Sequence, residues 1–335
     1  MTSPPVVSVC VPTYNYARFL PQCIESVLAQ TFPDWELVIT DDASTDGTEA
    51  VVTRYARSDS RVRYEKNAER LGMTANLGRA ASLGRGRYLK MLCADDWLTP
   101  NCLATFHALL EANPEVVLAT SAEIHCAADG SPLWVQCLFG RPMSLITGEA
   151  MLDRMAGGEG FGGNSSFCIR AAAYQRVGGY DPAVKYASDY DLAARLCRVG
   201  DYLHTDEPLF FGRRHPAASS AVDPATLVDV VDWFSVPARL FQPRRLGNRE
   251  WRRYHRRRSA LTAQYLVSAA VAGAGGRHDF ARRLLGLVAH HGNLWLGVPW
   301  LLVHLPRRVV SRMRRALPGT PRRPRASTAI PGARM

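Results

Sequence analysis

The sequence predicts an α/β protein with a mostly parallel sheet and helices on both of its faces. Three observations lead to this prediction. Short apolar runs alternate with amphipathic stretches of helical period through the first hundred residues. The connections between these elements are only a few residues long. Polar and acidic residues directly follow the apolar runs, at the strand ends where open α/β sheets bind ligands.

The composition is that of a folded globular chain, with 335 residues of which 47% are hydrophobic and 21% are charged. The eight cysteines include no Cys-x-x-Cys pair, and most of them lie in apolar segments, which favours a reducing compartment. We recognise no signal peptide, and no apolar run reaches the roughly 18 residues that a membrane-spanning helix needs. The sequence therefore predicts a cytoplasmic protein.

The predicted elements alternate regularly up to residue 93. In chain order they are strands over 6–11, 35–40, 61–65 and 88–93 and helices over 17–30, 48–57 and 73–83. The strand over 88–93 leads into two adjacent carboxylates, Asp95 and Asp96, which are costly to bury unless a cation or hydrogen-bond donors meet them. Taken alone, this stretch also fits a solvated turn before a helix that has Pro100 in its first turn.

Polar residues follow three of these strands. They are residues 12–15 after the first strand, Asp41 and Asp42 after the second, and Asp95 and Asp96 after the fourth. Because the carboxyl ends of parallel strands meet at one edge of a sheet, we expect these side chains to line a single cleft.

Four sequence blocks resemble glycosyltransferase family 2. They are VSVCVPTYN (7–15), SVLAQTF (26–32), ELVITDDASTDGT (36–48) and ADD (94–96). The blocks occur in the family's order and spacing, and the resemblance covers about residues 6–220. It implies the GT-A fold and an inverting, metal-dependent transfer of a sugar from a UDP-, GDP- or dTDP-sugar to a hydroxyl acceptor. Such a reaction suits the biosynthesis of polysaccharides, glycolipids or glycosylated metabolites.

The resemblance also implies a set of residues that bind the nucleotide-sugar donor. These residues are Pro12, Thr13, Tyr14, Asn15, Asp41, Asp42, Asn76, Asp95 and Arg213. Tyr14 offers a ring against the base, and Asp42 offers a carboxylate that can accept from either a uracil or a guanine N–H, so the base stays open. Arg213 is expected to neutralise diphosphate charge.

A divalent cation is implied by the same resemblance. Asp95 and Asp96 match the family's Asp-x-Asp-type motif, and carboxylate oxygens suit Mg²⁺ or Mn²⁺. His215, in a late Arg-x-His motif, is a third candidate ligand. The chain departs from the pattern at Cys93, where many members carry a further Asp, and a thiol is a poor ligand for Mg²⁺.

The acceptor half is predicted to begin near residue 116, and it contains a second acidic motif. Ser188-Asp189-Tyr190-Asp191-Leu192 opens a helix and resembles the family's catalytic motif. The resemblance implies that Asp189 is the base that takes the proton of the acceptor hydroxyl. Asp191 lies two residues further on and points elsewhere on the helix, which suits a supporting role. The alternative is that both acids merely favour the helix N-terminus.

The predicted domains differ in charge. The first is a catalytic domain over 1–220, in which about 6–115 bind the donor and about 116–220 face the acceptor. A basic helical region over 221–316 follows, and residues 317–335 are predicted to be disordered. Residues 236–335 contain 21 arginines and only two acids, so they carry a net charge of +19 against −8 for the rest.

The basic region leaves two interpretations open. A Trp-bearing apolar stretch within 290–316 is flanked by arginines. This pattern fits a helix lying on the anionic inner face of a membrane, and it equally fits helices packed on the protein with an Arg-rich exposed face. Nucleic acid is not expected as a partner, because the arginines lack interleaved aromatics on a recognisable module.

Two other functions compete with the glycosyltransferase. A sugar-nucleotide pyrophosphorylase would need a Gly-rich phosphate loop after the first strand, and residues 12–15 do not provide one. The second alternative is a non-catalytic protein that binds partners through its basic tail. The presence of Asp42, Asp95, Asp96 and Asp189 together argues against it.

Overall fold

The computed structural model describes residues 4–216, 227–241 and 248–292. The chain divides into two compact units. One comprises Met1–Leu152 and Gly160–Ala221, and the other comprises Asp153–Glu159 and Val222–Met335. Within the described residues, ten strands form one sheet in the first unit, in which the main hydrophobic core also lies.

The first half of the sheet is a purely parallel α/β arrangement. Its elements are, in chain order, β1 (Val7–Thr13), α1 (Leu20–Leu28), β2 (Trp35–Asp41), α2 (Thr48–Ser58), β3 (Val62–Lys66), α3 (Met73–Leu83) and β4 (Tyr88–Met91). The strands lie in the order β3-β2-β1-β4, and each neighbouring pair is parallel. This confirms the predicted alternation of strands and helices and brings the ends of β1, β2 and β4 to one edge.

The second half of the sheet is mixed. Its elements are, in chain order, β5 (Trp97–Leu98), α4 (Cys102–Ala112), β6 (Val116–Cys126), β7 (Pro132–Gln136), β8 (Met143–Ile146), α5 (Gly148–Gly157), β9 (Cys168–Arg170), α6 (Ala171–Arg176), α7 (Ser188–Leu196) and β10 (Asp201–Arg213). The sheet continues β4-β9-β6-β10-β5, with β9 antiparallel to β4 and β6 and with β6 parallel to β10. β5, β7 and β8 pair antiparallel with their neighbours.

The turn after β4 does not lead directly into a helix. A short strand, β5, follows Asp96 because it pairs with Phe210 and Phe211 of β10, and α4 begins only at Cys102. The alternative of a solvated turn is therefore wrong, and Asp95 is in fact buried.

The second unit contains the predicted C-terminal helices. They are α8 (Val228–Phe241), α9 (Asn248–Ala274) and α10 (His278–His291). Phe234, Tyr265 and Leu284 belong to the buried cluster that packs these helices together. No helix among the described residues is both long and apolar enough to cross a membrane. The predictions for 290–316 and 317–335 lie, apart from the first three residues, outside the described residues.

A buried carboxylate joins the amino ends of the four parallel strands. Glu36, which is 3% exposed, accepts hydrogen bonds from Ser8 Oγ (2.7 Å), the Arg85 backbone N–H (2.7 Å) and Arg63 Nη1 (3.0 Å). The Arg85 guanidinium donates to the second oxygen as well (2.8 Å). Burial by itself raises the pKa of Glu36, but these hydrogen bonds outweigh it, and the net effect lowers the pKa below its ordinary value.

We expect Glu36→Gln to lower the free energy of unfolding by about 3 kcal/mol at pH 7, because two arginines lose their buried counter-charge. Since the folded pKa is depressed, this stabilisation is fully present above the ordinary value of 4.5 and is lost as the pH falls below it. Urea unfolding at several pH values from 7 down to 3 measures the difference.

Glu149→Gln is the matched control, because Glu149 is exposed in the first turn of α5. It should change stability by no more than about 0.5 kcal/mol. A penalty for Glu36→Gln that stayed constant across the pH range would contradict the ionic explanation.

Candidate functional site

A cavity of about 260 Å³ lies at the carboxyl ends of β1, β2 and β4. Its lining contains six of the predicted donor-binding residues, namely Pro12, Thr13, Tyr14, Asp42, Asn76 and Asp95. The cavity is also lined by Tyr16, Arg70, Met73, Leu77, Cys93, Ala94 and Asn164. The parallel topology thus gathers residues from three strand ends in one place, as the sequence predicts.

The Asp42 carboxylate is held in one orientation by the loop between β3 and α3. Oδ1 accepts hydrogen bonds from Asn67 Nδ2 (2.9 Å) and the Leu71 N–H (2.7 Å), and Oδ2 accepts one from the Gly72 N–H (2.9 Å). Asp42 is only 2% exposed, and these three donors compensate for its burial. The same loop carries Arg70.

Arg70 is not among the residues predicted from the sequence. Its guanidinium carbon lies 4.1 Å from the centroid of the Tyr14 ring, and both side chains line the cavity. A cation over an aromatic face is a favourable contact that orients both groups. Nothing in the sequence distinguishes Arg70 from a surface arginine, because the contact depends on how the loop after β3 folds back over β1.

Asn15 and Asp41 do not line the cavity, because their side chains fasten the loop after β2. Asn15, which is exposed and has a φ of +55°, accepts a hydrogen bond from the Thr45 N–H (2.9 Å). Asp41 is fully buried and accepts from the Ser44 N–H (2.9 Å) and the Tyr64 hydroxyl (2.6 Å). Both residues therefore position Asp42 and its loop.

Asn76 lines the cavity, but its polar atoms are engaged inside the protein. Its Nδ2 donates to the carbonyls of Thr40 (2.9 Å) and Thr13 (3.4 Å), and its Oδ1 accepts from Asn67 Nδ2 (3.1 Å). Asn76 thus joins the ends of β1 and β2 to the loop that holds Asp42.

The Asp95–Asp96 turn is fixed by contacts from distant parts of the chain. Asp95 Oδ2 lies 2.9 Å from His215 Nε2. Asp96 accepts a hydrogen bond from Ser165 Oγ (2.6 Å) on one oxygen and from the Arg213 backbone N–H (2.9 Å) on the other. Burial raises the pKa of both carboxyls, and the charge of Asp95 raises that of Asp96 further. A bound cation would favour the ionised form of both carboxyls and so lower these pKa values.

The donor atoms at this turn fit a divalent cation. Cys93, Asp95 and Asp96 offer one ligand atom each, and these atoms lie within 4.8 Å of one another. Burial raises the pKa of the Cys93 thiol well above its ordinary value, so it stays protonated and is a poor ligand. The two carboxylates remain as oxygen ligands, which suit Mg²⁺ or Mn²⁺.

His215 lies beside this set, in contact with Asp95 through its Nε2. Its ring packs against Phe19 and Tyr16, with centroids 4.7 and 5.8 Å away. Burial, with the charges of Arg18 and Arg213, lowers the pKa of His215, which favours the neutral imidazole that metals bind. Within the described parts of the chain, its buried Nδ1 has no hydrogen-bond partner.

Arg213, predicted to contact the donor diphosphate, does not line the cavity. Its guanidinium is buried and donates to the carbonyls of Asp95 (3.0 Å) and Ala128 (2.8 Å) and to the side chain of Gln22. It also lies over the ring of Trp97, at 4.7 Å from the centroid. Because each guanidinium nitrogen is engaged inside the protein, Arg213 holds the acidic turn in place.

Asp189 lies in the first turn of α7, beside the segment that borders the cavity. Its Oδ1 accepts from the Tyr190 N–H (2.7 Å), and burial raises its pKa to about 6. Its Oδ2 is 3.7 Å from the position that a Cβ on Gly163 would occupy. Gly163 directly precedes a 3-10 turn, Asn164–Ser166, which lines the cavity and bonds Asp96. The structure thus places Asp189 beside the segment that borders the cavity.

Asp191 pairs with Arg195 of the same helix. It is fully buried and accepts two hydrogen bonds from the Arg195 guanidinium (2.6 and 2.8 Å). Arg195 also donates to the Val177 carbonyl (2.8 Å). This pair anchors α7 to the preceding turn and so positions Asp189.

Ser165 is a further residue that the sequence reasoning missed. Besides bonding Asp96, its hydroxyl accepts from the Cys93 N–H (2.9 Å). Its carbonyl accepts from the fully buried ammonium of Lys90, which also donates to the Met91 carbonyl (2.8 Å). A lone lysine in an apolar strand is the signal that would have pointed to this contact, because a buried cation needs a polar partner.

The sheet topology and the helices on its faces define an α/β protein of the GT-A fold class. The chain belongs to glycosyltransferase family 2, because the model of that family, described as "Glycosyl transferase family 2", matches residues 8–177.

Curated relatives agree with this assignment. The chain is 29% identical over 212 residues to the chondroitin synthase of Pasteurella multocida, a match that covers 61% of this chain and 20% of that protein. It is 31% identical over 204 residues to the putative glycosyltransferase EpsE of Bacillus subtilis (60% and 69% covered). It is 30% identical over 154 residues to the putative teichuronic acid biosynthesis glycosyltransferase TuaG of the same organism (46% and 60% covered).

Two solved structures confirm the fold. S. aureus TarS 1-349 in complex with UDP-GlcNAc has a TM-score of 0.57 and is 14% identical, with 83% of this chain and 90% of that chain covered. The mannosyltransferase PcManGT from Pyrobaculum calidifontis, in complex with GDP-Man and Mn²⁺, has a TM-score of 0.56 and is 20% identical (93% and 84% covered).

We expect Arg213→Ala to lower the free energy of unfolding by about 3 kcal/mol, because a buried hydrogen-bonded cation is lost and its partners are left unpaired. Urea unfolding measures this loss. Arg57→Ala, at an exposed position of α2, is the control and should cost less than about 0.5 kcal/mol. If Arg213→Ala were as stable as wild type and had lost only donor affinity, the result would support the predicted contact between Arg213 and the diphosphate.

Proposed function

We propose that the protein is an inverting, metal-dependent glycosyltransferase that moves a sugar from a nucleotide-diphosphate donor to a hydroxyl group of a saccharide acceptor. Family membership supports the transferase class, and synthases of polysaccharides among the relatives support a saccharide acceptor. The observation that carries the proposal is that one sheet edge assembles Asp42, the Asp95–Asp96 turn and Asp189 around the same cavity and its bordering segment.

The donor base binds between Tyr14 and Asp42 in this proposal. A carboxylate offers about four lone-pair sites, and three of those on Asp42 are occupied by N–H groups of the protein. The remaining site suits the single ring N–H of uracil or thymine, whereas guanine presents two adjacent N–H donors. We therefore favour a UDP- or dTDP-sugar over a GDP-sugar. TarS was solved with UDP-GlcNAc and PcManGT with GDP-Man, so the fold accommodates both kinds of base.

Asp95, Asp96 and His215 are the residues that would hold Mg²⁺ or Mn²⁺. When bound, the cation supplies positive charge for the donor diphosphate as it departs. The role of Ser165 and Arg213 is to keep both oxygens of Asp96 in fixed positions. PcManGT was solved with Mn²⁺, which supports a cation in this fold.

Asp189 takes the proton from the acceptor hydroxyl as that hydroxyl attacks the sugar carbon. A pKa of about 6 makes Asp189 a stronger base than an ordinary aspartate, while most of it stays ionised above neutral pH. Its burial supplies this shift, and the Asp191–Arg195 pair fixes the helix that presents it.

The cellular setting stays a proposal. All eight cysteines are unpaired, and six of them are buried, which supports a reducing compartment such as the cytoplasm. The proposed contact of residues 290–316 with the inner face of the membrane depends on their basic and Trp-bearing composition alone. The pyrophosphorylase and non-catalytic alternatives gain no support from the family assignment.

A thermal-shift series with UDP, dTDP and GDP in the presence of Mn²⁺ tests the choice of base. We expect UDP or dTDP to raise the melting temperature and GDP to have little effect. Asp42→Asn should weaken the preferred nucleotide at least tenfold, about 1.4 kcal/mol, because an amide nitrogen then faces donors of the protein. Asp34→Asn is the exposed control. Stronger stabilisation by GDP would contradict the lone-pair argument.

The pH dependence of transfer tests Asp189. Because the base must be ionised, we expect the rate at saturating donor to fall about tenfold per unit as the pH drops below about 6. Asp189→Asn should reduce turnover at least 10²-fold and leave nucleotide binding intact. A variant that kept both turnover and the acid limb of the profile would remove Asp189 from the mechanism.

Removal of metal tests the acidic turn. Excess EDTA should abolish transfer and reduce the stabilisation by UDP, and Mn²⁺ or Mg²⁺ should restore both. Asp96→Asn should need at least tenfold more Mn²⁺ for half-maximal activity, because a carboxylate ligand is lost. Cys93→Ser should not change this requirement, since the thiol is protonated. Full activity in EDTA would exclude a metal role for Asp96.

A further inference from the structure

One face of the sheet carries a group of side chains that the proposed reaction leaves unused. We call it the Trp134 cluster, and its members are Glu123, His125, Trp134, Gln136 and Arg214. The register pairs Glu123 with Gln136 and His125 with Trp134 across β6 and β7. Residues paired in this way project on the same face of a sheet.

His125 is the buried residue on which the rest of the cluster packs. It is fully buried, and the Trp134 ring stacks on it with centroids 4.6 Å apart. Its Nδ1 accepts from Arg214 Nε (2.9 Å), so the proton resides on Nε2, which donates to Gln136 Oε1 (2.7 Å). Burial lowers the pKa of His125 to about 4, which keeps the ring neutral. His125 therefore fixes the orientation of the three side chains above it.

The upper layer of the cluster is open to solvent. Trp134 is 43% exposed, and the side chains of Arg214 and Glu123 are 47% and 24% exposed. Glu123 Oε1 lies 3.1 Å from His125 Nδ1 and 3.6 Å from Arg214 Nη2. Its other oxygen, Oε2, makes no hydrogen bond within the part of the chain that the structure describes. An exposed aromatic ring thus lies near a partly exposed carboxylate and a guanidinium.

The cluster lies next to the acidic turn and outside the nucleotide cavity. The backbone N–H of Arg213, the residue directly before Arg214, donates a hydrogen bond to Asp96 (2.9 Å). In the sheet, Arg213 pairs with Cys126, the residue directly after His125. None of the five described members of the cluster lines the cavity. The cluster is therefore close to the reacting groups but separate from the donor pocket.

We propose that the Trp134 cluster is an acceptor-saccharide subsite, in which a pyranose ring stacks on Trp134 while its hydroxyl groups bond to Glu123 and Arg214. A sugar ring has an apolar C–H face and a rim of hydroxyl groups, which match an exposed indole flanked by an acceptor and a donor. A nucleic acid or an anionic membrane would meet the Glu123 carboxylate unfavourably. The proposal rests on the glycosyltransferase function proposed above.

Gly212 offers an independent way to disturb this subsite. A Cβ added at residue 212 would overlap the Glu123 carboxylate. Gly212→Ala therefore displaces the end of a flexible side chain without removing its charge. Glu123→Gln keeps the shape and removes the charge.

The test is binding of the full-length protein to an array of immobilised oligosaccharides of hexoses, N-acetylhexosamines and uronic acids. We expect wild type to bind a subset, Trp134→Ala to weaken that binding at least tenfold, and Trp134→Phe to weaken it no more than about threefold. Glu123→Gln and Gly212→Ala should each weaken it several-fold. Leu133→Ala is the matched control, since Leu133 is 49% exposed at the adjacent position of β7 and projects on the other face.

Melting temperatures show whether each variant is folded. If Trp134→Ala does not fold, the test uses Trp134→Phe and Gly212→Ala instead. Wild type that binds no saccharide, or folded Trp134 and Gly212 variants that bind like wild type, would overturn the subsite. The UDP-induced thermal shift is measured on the same samples. Its absence from wild type together with Trp134-dependent saccharide binding would overturn the proposed donor site and leave the subsite standing.

Discussion

The buried guanidinium of Arg213 is the contact on which the acidic turn depends. It joins the carbonyls of Asp95 and Ala128 to the side chain of Gln22, while its own backbone N–H bonds Asp96. These groups come from four separate stretches of the first unit. Two adjacent carboxylates can stay in a buried turn only if fixed donors and positive charge offset their desolvation. Arg213 supplies a fixed donor to Asp96 and a positive charge beside Asp95, and these offset part of that cost.

Compensation of charge also divides the buried carboxylates into two groups. Asp41, Glu36 and Asp191 are buried at 3% exposure or less, and each is satisfied by donors of the protein. By contrast, burial raises the pKa of Asp95, Asp96 and Asp189, because their internal partners do not outweigh desolvation. Groups whose protonation is perturbed in this way are candidates for chemistry. The three fall around one cavity and its bordering segment, which strengthens their proposed roles.

The sequence predicted the placement of Tyr14 and Asp42 well and that of Asn15 and Arg213 poorly. Tyr14 and Asp42 directly follow strands, so the parallel topology alone brings them to the edge where the cavity lies. Asn15 also follows a strand, yet its side chain bonds Thr45 in the next loop. Arg213 ends a strand, but its side chain turns inward to partners more than eighty residues away. Periodicity and motif order carry no information on such orientations.

The amino-acid sequence by itself determined the α/β class, the order of the first seven elements and the strand ends at which polar residues collect. These properties are local, because hydrophobic period, turn residues and chain direction decide them. Only the tertiary structure decided which polar side chains are hydrogen-bonded inside the protein and which face the cavity. The pairing of His215 with Asp95, of Ser165 with Asp96 and of Arg70 with Tyr14 joins residues far apart in the chain. Each role follows from what the folded neighbours leave unsatisfied, and that balance exists only after folding.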